Sequence, residues 1–207
     1  MRRSRLTATT RQARRTTPPA APLPSRRLLG QRAGGYPEWL YAAEDTLFNI
    51  RLRQIGCRFV FCRDAIVRWR PRETWRALAR QRVNFARGNA RIGFGTRGYL
   101  INLRLHGLML ALLLGVFVHP LLPIGAFAVM GWHIRRNLWP QAVIATKGKP
   151  RRLRYLTVAV MEFVRLVSMY GFVQGRWDRL RDSRFIANQE RYMGVRSVQA
   201  LQSQGVI

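Results

Sequence analysis

An apolar block at residues 105–133, with no Lys, Arg, Asp or Glu, dominates the hydrophobic pattern of this chain. At ~1.5 Å per residue, a single helix of that length would cross a hydrocarbon core of ~30 Å. The sequence His119-Pro-Leu-Leu-Pro123 interrupts the block near its middle, and proline ends or kinks a helix. The pattern therefore predicts a membrane helical hairpin within residues 99–139, made either of two short spans or of one re-entrant loop.

Amphipathic helices are predicted on both sides of this block. Before it, apolar residues fall on one face of residues 44–55. Residues 74–92 combine an apolar face with a stripe of arginines, formed by Arg76, Arg80, Arg87 and Arg91. After it, residues 155–174 are apolar but carry Glu162 and Arg165, and charges are costly in the middle of a membrane span. We therefore predict that residues 155–174 form an interfacial helix rather than a third span.

Between the first two helices, short runs at residues 57–62 and 65–69 are rich in aromatic and β-branched residues. This composition predicts two short strands. By contrast, residues 1–33 hold Arg, Pro, Thr and Ala with few large apolar side chains and no periodicity. They are predicted to be disordered, and a transit peptide or a mis-framed start would explain the same composition.

Charge decides how the apolar block is oriented. The chain of 207 residues has 37 Lys and Arg against nine Asp and Glu, a formal net charge of +28. Cations flank the apolar block on both sides, and the positive-inside rule places both flanks in the cytoplasm, which favours a hairpin over a single crossing. Such a charge also fits nucleic-acid binding. However, no nucleic-acid-binding module is recognisable around the apolar block, so we expect membrane lipids and no nucleic acid as partners.

Glu44 and Asp45 are the first candidates for chemistry, because they open the predicted helix 44–55. Exposed amides and the helix dipole favour ionised carboxylates there, and a general base must be ionised to accept a proton from a hydroxyl. The alternative is an ordinary acidic first turn with a structural role. Cys57 and Cys62 form one C-x4-C pair, which is a poor zinc signal.

Residues 34–88 resemble the C-terminal part of the catalytic domain of family-2 glycosyltransferases, which are inverting enzymes of the GT-A fold. The resemblance rests on the order and spacing of motifs over about 60 residues: Gly34-Gly35-Tyr36-Pro37-Glu38, Ala43-Glu44-Asp45-Thr46, Asp64-Ala65-Ile66-Val67, Trp69-Arg70-Pro71-Arg72, and Arg80-Gln81 leading to Phe85-Ala86-Arg87-Gly88.

The resemblance implies a role for each matching residue. Asp45 would be the catalytic base that deprotonates the acceptor hydroxyl, and Glu44 would support it. Acceptor or phosphate binding would involve Gly35, Arg70, Arg72, Gln81 and Arg82. Gln81 stands where processive members begin a Gln-x-x-Arg-Trp motif, but Asn84 and Phe85 occupy its last two positions, so processive synthesis is not expected.

Family members also have a donor-binding half that ends in Asp-x-Asp and holds Mg2+ or Mn2+ on the nucleotide diphosphate. This chain contains no Asp-x-Asp, and Trp69 stands where many members have a metal-binding His. We therefore expect no metal ligand in this chain, although the intact family enzyme would need the ion. The composition changes abruptly near Gly34, which fits a truncated or frame-shifted start.

The expected fold is mostly α, with a partial GT-A α/β remnant of a helix, two short strands and an amphipathic helix, followed by the membrane hairpin and the interfacial helix. The expected domains are residues 1–33, an acceptor-side part at 34–98, the hairpin at 99–139, and a basic loop, interfacial helix and polar tail at 140–207. The implied function is transfer of a sugar from a nucleotide-sugar donor to a lipid-linked or glycan acceptor, on the cytoplasmic side of a bacterial-type inner membrane. The alternative is a non-enzymatic basic membrane protein or an accessory subunit.

Overall fold

The computed structural model describes residues 26–68, residue 70 and residues 72–194. Every regular element in these ranges is helical, so the mostly α expectation is confirmed. A 3-10 turn at Gly115–Phe117 follows the fourth α-helix, and a π-helical segment at Ile134–Leu138 follows the fifth. The α-helices are α1 (Arg26–Arg32), α2 (Glu44–Gln54), α3 (Trp75–Ile92), α4 (Thr96–Leu114), α5 (Leu122–His133), α6 (Trp139–Ala145), α7 (Arg152–Arg181) and α8 (Arg184–Met193).

The two predicted strands are wrong wherever the structure describes them. Residues 57–62 and 65–68 have no regular secondary structure, and a turn at residues 63–64 separates them. Trp69, the last residue of the second run, lies outside the described residues. A strand needs a neighbouring edge with which to exchange hydrogen bonds, and side-chain composition alone cannot supply one. The described part of the chain brings no such edge here, so the apolar side chains remain exposed, Val60 at 86% and Phe61 at 90%.

The two helices predicted upstream of the hairpin are confirmed. Thr74 caps α3, because its hydroxyl accepts the amide of Ala77 at 3.2 Å, and Gly93 ends the helix. In contrast, α1 is helical within the segment that was expected to be disordered. Ala33, directly after α1, is buried, so packing of this segment overrides its weak sequence signal.

α3 and α7 form the main helix pair, and small residues let their backbones approach closely. A Cβ atom added to Gly175 would collide with the carbonyl oxygen of Arg87 and would lie 2.7 Å from the Cβ of Ala90. A Cβ atom added to Gly171, one turn earlier in α7, would collide with the carbonyl oxygen of Val83. Only glycine at these α7 positions allows this separation of the two helix axes.

An ion-pair cluster fixes the register of the same two helices. Asp178 on α7 accepts from Arg87 Nε at 2.6 Å and from Arg91 Nε at 2.9 Å, both on α3. The hydrogen bond to Asp178 raises the pKa of the Arg87 guanidinium above its ordinary value. Two members of the predicted arginine stripe therefore serve helix packing rather than facing solvent or lipid.

We expect Asp178→Ala to destabilise the α3–α7 pair. The change leaves Arg87 and Arg91 without their counter-charge, and Arg91 is largely enclosed. Since Arg87 is 40% exposed, the loss should be about 1–2 kcal/mol, below the several kcal/mol typical of a fully buried pair. Thermal unfolding followed by circular dichroism in detergent measures it.

The matched control is Asp182→Ala, because Asp182 pairs with the exposed Arg184 at the surface, so its removal should change the melting temperature little. Equal effects of the two variants would contradict the prediction.

A helical hairpin forms where the apolar block predicted one. α4 and α5 are joined through the 3-10 turn and residues 118–121, and a Cβ on Gly115 would touch Leu122 across the bend. Two helices are long and apolar enough to span a membrane by length and composition, Thr96–Phe117 and Arg152–Arg181. α5 has 12 residues, or ~18 Å, against a core of ~30 Å. The helical backbone continues without a break through Ile134–Leu138 into α6, so the length of α5 does not decide between a re-entrant loop and two spans.

A partly buried polar cluster lies at the base of the hairpin. Glu162 on α7 accepts from His106 Nε2 on α4 at 2.5 Å and lies 3.5 Å from His133 Nε2 on α5. Arg165 donates to Asn102 Oδ1 at 3.1 Å. These partners offset the cost of charge within an apolar helix. The charges that favoured an interfacial position for residues 155–174 therefore no longer decide against a span, and the interfacial position stays a prediction.

Candidate active site

The turn before α2 has a constrained backbone. Ala43 has φ of 70°, the one positive value among the described non-glycine residues. Such a conformation persists when the surroundings enforce it, and it is frequent at functional sites. The surroundings here include Gly88 on α3, where an added Cβ would lie 2.6 Å from the carbonyl oxygen of Ala42. The close approach of α3 thus presses this turn into place directly before Glu44 and Asp45.

A small apolar core anchors α2 beneath this turn. Leu47 is fully buried and packs in one cluster with Ala43, Ile92 and Met193, which come from the turn, α3 and α8. The start of α2 is therefore held from three directions. The backbone that carries the first-turn carboxylates is therefore fixed in position, as a catalytic acid or base requires.

The two acidic residues differ in their surroundings. Asp45 is exposed, and its Oδ1 accepts the amide of Thr46 at 2.7 Å and the hydroxyl of Thr46 at 3.3 Å. Glu44 is half-buried, and its Oε2 is enclosed without a hydrogen-bond partner among the described residues. An enclosed acceptor without a partner costs free energy. Asp45 is thus suited to accept a proton, and Glu44 to accept a hydrogen bond from a ligand.

The carboxylates line a cavity of about 460 Å³ between α2, α3 and the start of the hairpin. Arg82 reaches the same cavity from α3, so the structure brings together three of the residues expected at the site. The remaining wall is mostly polar or aromatic and includes Tyr41, Thr46, Phe85, Asn89, Tyr99 and Ser168.

A second cavity, of about 540 Å³, adjoins the first. Tyr41, Ala42 and Phe85 line both. Two further expected residues, Arg72 and Gln81, line this second cavity. Arg80 joins them, and no acidic residue is part of the lining. One cavity therefore holds a carboxylate pair beside one cation, and its neighbour holds two cations, which suits an anionic group such as a phosphate.

Two expected site residues lie outside both cavities. The Gly35 carbonyl accepts the hydroxyl of Tyr192 at 2.6 Å, which ties the glycine turn to α8. Burial raises the pKa of the Tyr192 phenol, so this hydroxyl remains a donor at neutral pH. Arg70 is exposed and lines neither cavity. The structure thus gives Gly35 a structural contact and gives Arg70 no part in the described cavities.

Sequence reasoning missed several lining residues. Tyr99 stacks on Phe172 with ring centroids 4.6 Å apart, and this contact brings α4 and α7 to the edge of the carboxylate cavity. Tyr99 and Ser168 lie more than 50 residues from Asp45 in the chain, and no local motif marks either. Arg80 belongs to the arginine stripe of α3, but periodicity could not distinguish it from Arg87, which turns toward α7.

The described residues do not fit the divalent metal that the family resemblance implies. Within the described ranges, no group of three His, Cys, Asp or Glu could hold a metal ion. The carboxylate cavity has only Glu44 and Asp45 as acidic ligands, adjacent in sequence, and Arg82 adds a positive charge beside them. Trp69, the position expected to replace a metal-binding His, lies outside the described residues. No catalytic step is therefore assigned to a metal held by these residues.

Comparison with protein-family models, curated proteins and solved structures gives no match for this chain.

Proposed function

We propose that this chain is the acceptor-side part of a membrane-attached, inverting glycosyltransferase of the family-2 type. The observation that supports this most is the convergence of Glu44, Asp45 and Arg82 on one cavity that adjoins the cavity of Arg72 and Gln81. The motif resemblance had selected these five residues from separate parts of the sequence. If Glu44 and Asp45 had only a structural role at the start of α2, no cationic cavity would be needed beside them.

The proposed reaction is a single displacement. Asp45 accepts the proton of the acceptor hydroxyl, and the acceptor oxygen attacks the anomeric carbon of the sugar. The bond to the nucleoside diphosphate breaks on the opposite face, and the diphosphate leaves with the electron pair, which inverts the configuration. General-base catalysis of this kind requires an accessible carboxylate, which Asp45 has, and the cations of the second cavity suit the charge of a phosphate.

Of the two acceptor classes, a lipid-linked acceptor is favoured over a soluble glycan. Tyr99 and Ser168, which help to line the carboxylate cavity, belong to the two helices that are long and apolar enough to span a membrane. An acceptor anchored in lipid would therefore reach Asp45 from the membrane side. The basic flanks of the hairpin support a cytoplasmic position for this face under the positive-inside rule, as expected for a bacterial-type inner membrane.

The donor-binding half is expected from a separate polypeptide segment. Residues 57–68 support this, because they belong to no helix and expose large apolar side chains, including Phe59, Ile66 and Val67. Such a segment can pair with the edge of another sheet. Together with a nucleotide-binding sheet, it would restore the strand pair that the sequence predicts.

A non-enzymatic role remains the second candidate, as a basic membrane protein or an accessory subunit of a transferase. It is favoured by the exposed apolar surface of the hairpin, where Phe117 is 87% and Phe127 71% exposed. That surface fits insertion into lipid and needs no chemistry.

Sugar transfer tests the choice. We expect no turnover of a labelled nucleotide sugar by the purified chain in detergent, because the sequence has no Asp-x-Asp and the described residues form no nucleotide-binding sheet. We expect turnover once the chain is joined to the polypeptide encoded directly upstream of the Gly34 codon in whichever frame supplies a nucleotide-binding sheet. Turnover by the chain alone would contradict the missing donor half. Closed upstream frames would instead favour the accessory role.

A further inference from the structure

A third cavity opens at the π-helical segment after α5. It measures about 470 Å³ and is lined by Trp132, Arg135, Arg136, Trp139 and Pro140. None of these residues lines the two cavities of the candidate active site. A π-helical turn breaks the regular helix ladder and is frequent where a helix carries a function. Here it falls between the two tryptophans.

The two arginines of this cavity have no acidic neighbour. Neither Arg135 nor Arg136 forms an ion pair or hydrogen bond with any residue that the structure describes, and both are exposed. The sequence contains no Asp or Glu between Glu73 and Glu162. Two adjacent guanidinium groups in such surroundings present an uncompensated positive charge. Their planar forks match the oxygens of a phosphate group.

The cavity lies where the apolar hairpin returns to the polar part of the chain. Ile124 and Phe127, earlier in α5, are 62% and 71% exposed, so an uncovered apolar surface leads up to the arginines. Tryptophans at such a boundary are typical of the interface between lipid and water. Trp139 also packs on Tyr155 with ring centroids 5.5 Å apart, which braces one wall of the cavity against α7.

We propose that this cavity binds the headgroup phosphate of an anionic membrane phospholipid, with one lipid held per chain. Arg135 and Arg136 pair with the phosphate, Trp132 and Trp139 flank the glycerol region, and the acyl chains follow the exposed face of α5. A free phosphate would use the arginines but not the apolar surface beside them. The site would fix the depth and orientation of the hairpin whether or not the chain takes part in sugar transfer.

Lipid binding to the full-length chain in detergent tests the proposal. Phosphatidylglycerol and phosphatidylcholine with identical oleoyl chains are titrated separately, and bound lipids are counted by native mass spectrometry. We expect one tightly retained phosphatidylglycerol and no equivalent phosphatidylcholine. The double variant Arg135→Gln/Arg136→Gln should weaken phosphatidylglycerol binding at least tenfold. Equal retention of both lipids by the unaltered chain would overturn the proposal.

A matched control separates a discrete site from general attraction to a basic protein. Arg58→Gln/Arg63→Gln removes the same charge from two exposed arginines in the 57–68 segment, and it should leave the tight site intact. Equal weakening by both double variants would overturn the proposal in favour of diffuse attraction. Displacement of the lipid by millimolar inorganic phosphate would overturn it in favour of a free-phosphate site.

Two further variants keep the test valid if the glutamine variant misfolds. Arg135→Lys/Arg136→Lys keeps the charge but loses the planar forks, so we expect intermediate affinity with unchanged helix content. Trp132→Ala removes an exposed ring without changing charge and should also weaken the tight site. Full affinity in both variants would overturn the assignment of the lipid to this cavity.

Discussion

Gly175→Ala is expected to separate α3 from α7 and to cause the largest loss of stability among single-methyl additions to this chain. The added methyl group would meet the carbonyl oxygen of Arg87 and the Cβ of Ala90. Backbone cannot yield in the way that the end of a flexible side chain can. Overpacking of this kind costs about 1–3 kcal/mol, and it should exceed the gain of up to about 1 kcal/mol that alanine brings to a helix interior. Thermal unfolding in detergent, followed by the helix signal in circular dichroism, measures the change.

Gly107→Ala is the matched control. Gly107 is also inside a helix, α4, but an added Cβ would meet nothing within 4 Å. The same methyl group should there be neutral or stabilising, because only helix propensity acts. The opposite signs of the two effects are the decisive result. If both variants gained stability, the close contact of α3 with α7 at Gly175 would be refuted.

The same helix pair shows what the sequence could and could not predict. Helices α2 and α3 were predictable, because their signals are local: an acidic first turn, a threonine cap and a terminal glycine. Their partners were not predictable, because packing joins positions far apart in the chain. Asp178 reaches Arg87 across 91 positions, and a stripe of arginines on one helix carries no information about that distant acid.

The strand error has a different cause. The composition of residues 57–62 and 65–68 is that of strands, yet neither run has regular secondary structure. What is missing is the neighbouring edge, which the described part of the chain does not contain. A strand needs a second strand for its backbone hydrogen bonds, whereas a helix forms its own. The exposure of Phe59 and Phe61 is the structural consequence.

The candidate site was partly predictable for the same reason. Glu44 and Asp45 are neighbours in a motif, and Arg72, Gln81 and Arg82 follow within 40 residues, so the order of motifs could select them. Tyr99 and Ser168 reach the cavity only because α4 and α7 cross near α3. Gly35 and Arg70 belong to the same motifs but lie outside both cavities. The motifs therefore predict which part of the chain forms the candidate site, and helix packing decides which of its residues line the cavities.

Under the proposed function, Asp45→Asn should nearly abolish sugar transfer once the chain is joined to a donor-binding half. The amide keeps the size of the side chain and can still accept the Thr46 amide through its oxygen, but it cannot take up the acceptor proton. General-base catalysis contributes roughly 10²–10⁴-fold, so kcat should fall by about that factor. KM for the nucleotide sugar should change little, because Asp45 acts on the acceptor in the proposed reaction. Initial rates of labelled sugar transfer measure both quantities.

Asp182→Asn provides the control for charge and fold. Asp182 pairs with the exposed Arg184 and lies outside both cavities and outside the 57–68 segment, so kcat should be retained. Glu44→Gln distinguishes a base from a positioning group. It keeps an acceptor oxygen in the cavity and should lower kcat less than Asp45→Asn does, while raising KM for the acceptor. If Asp45→Asn kept full activity while Glu44→Gln lost it, the base would be Glu44. The proton would then go to the half-buried carboxylate, whose Oε2 has no hydrogen-bond partner among the described residues.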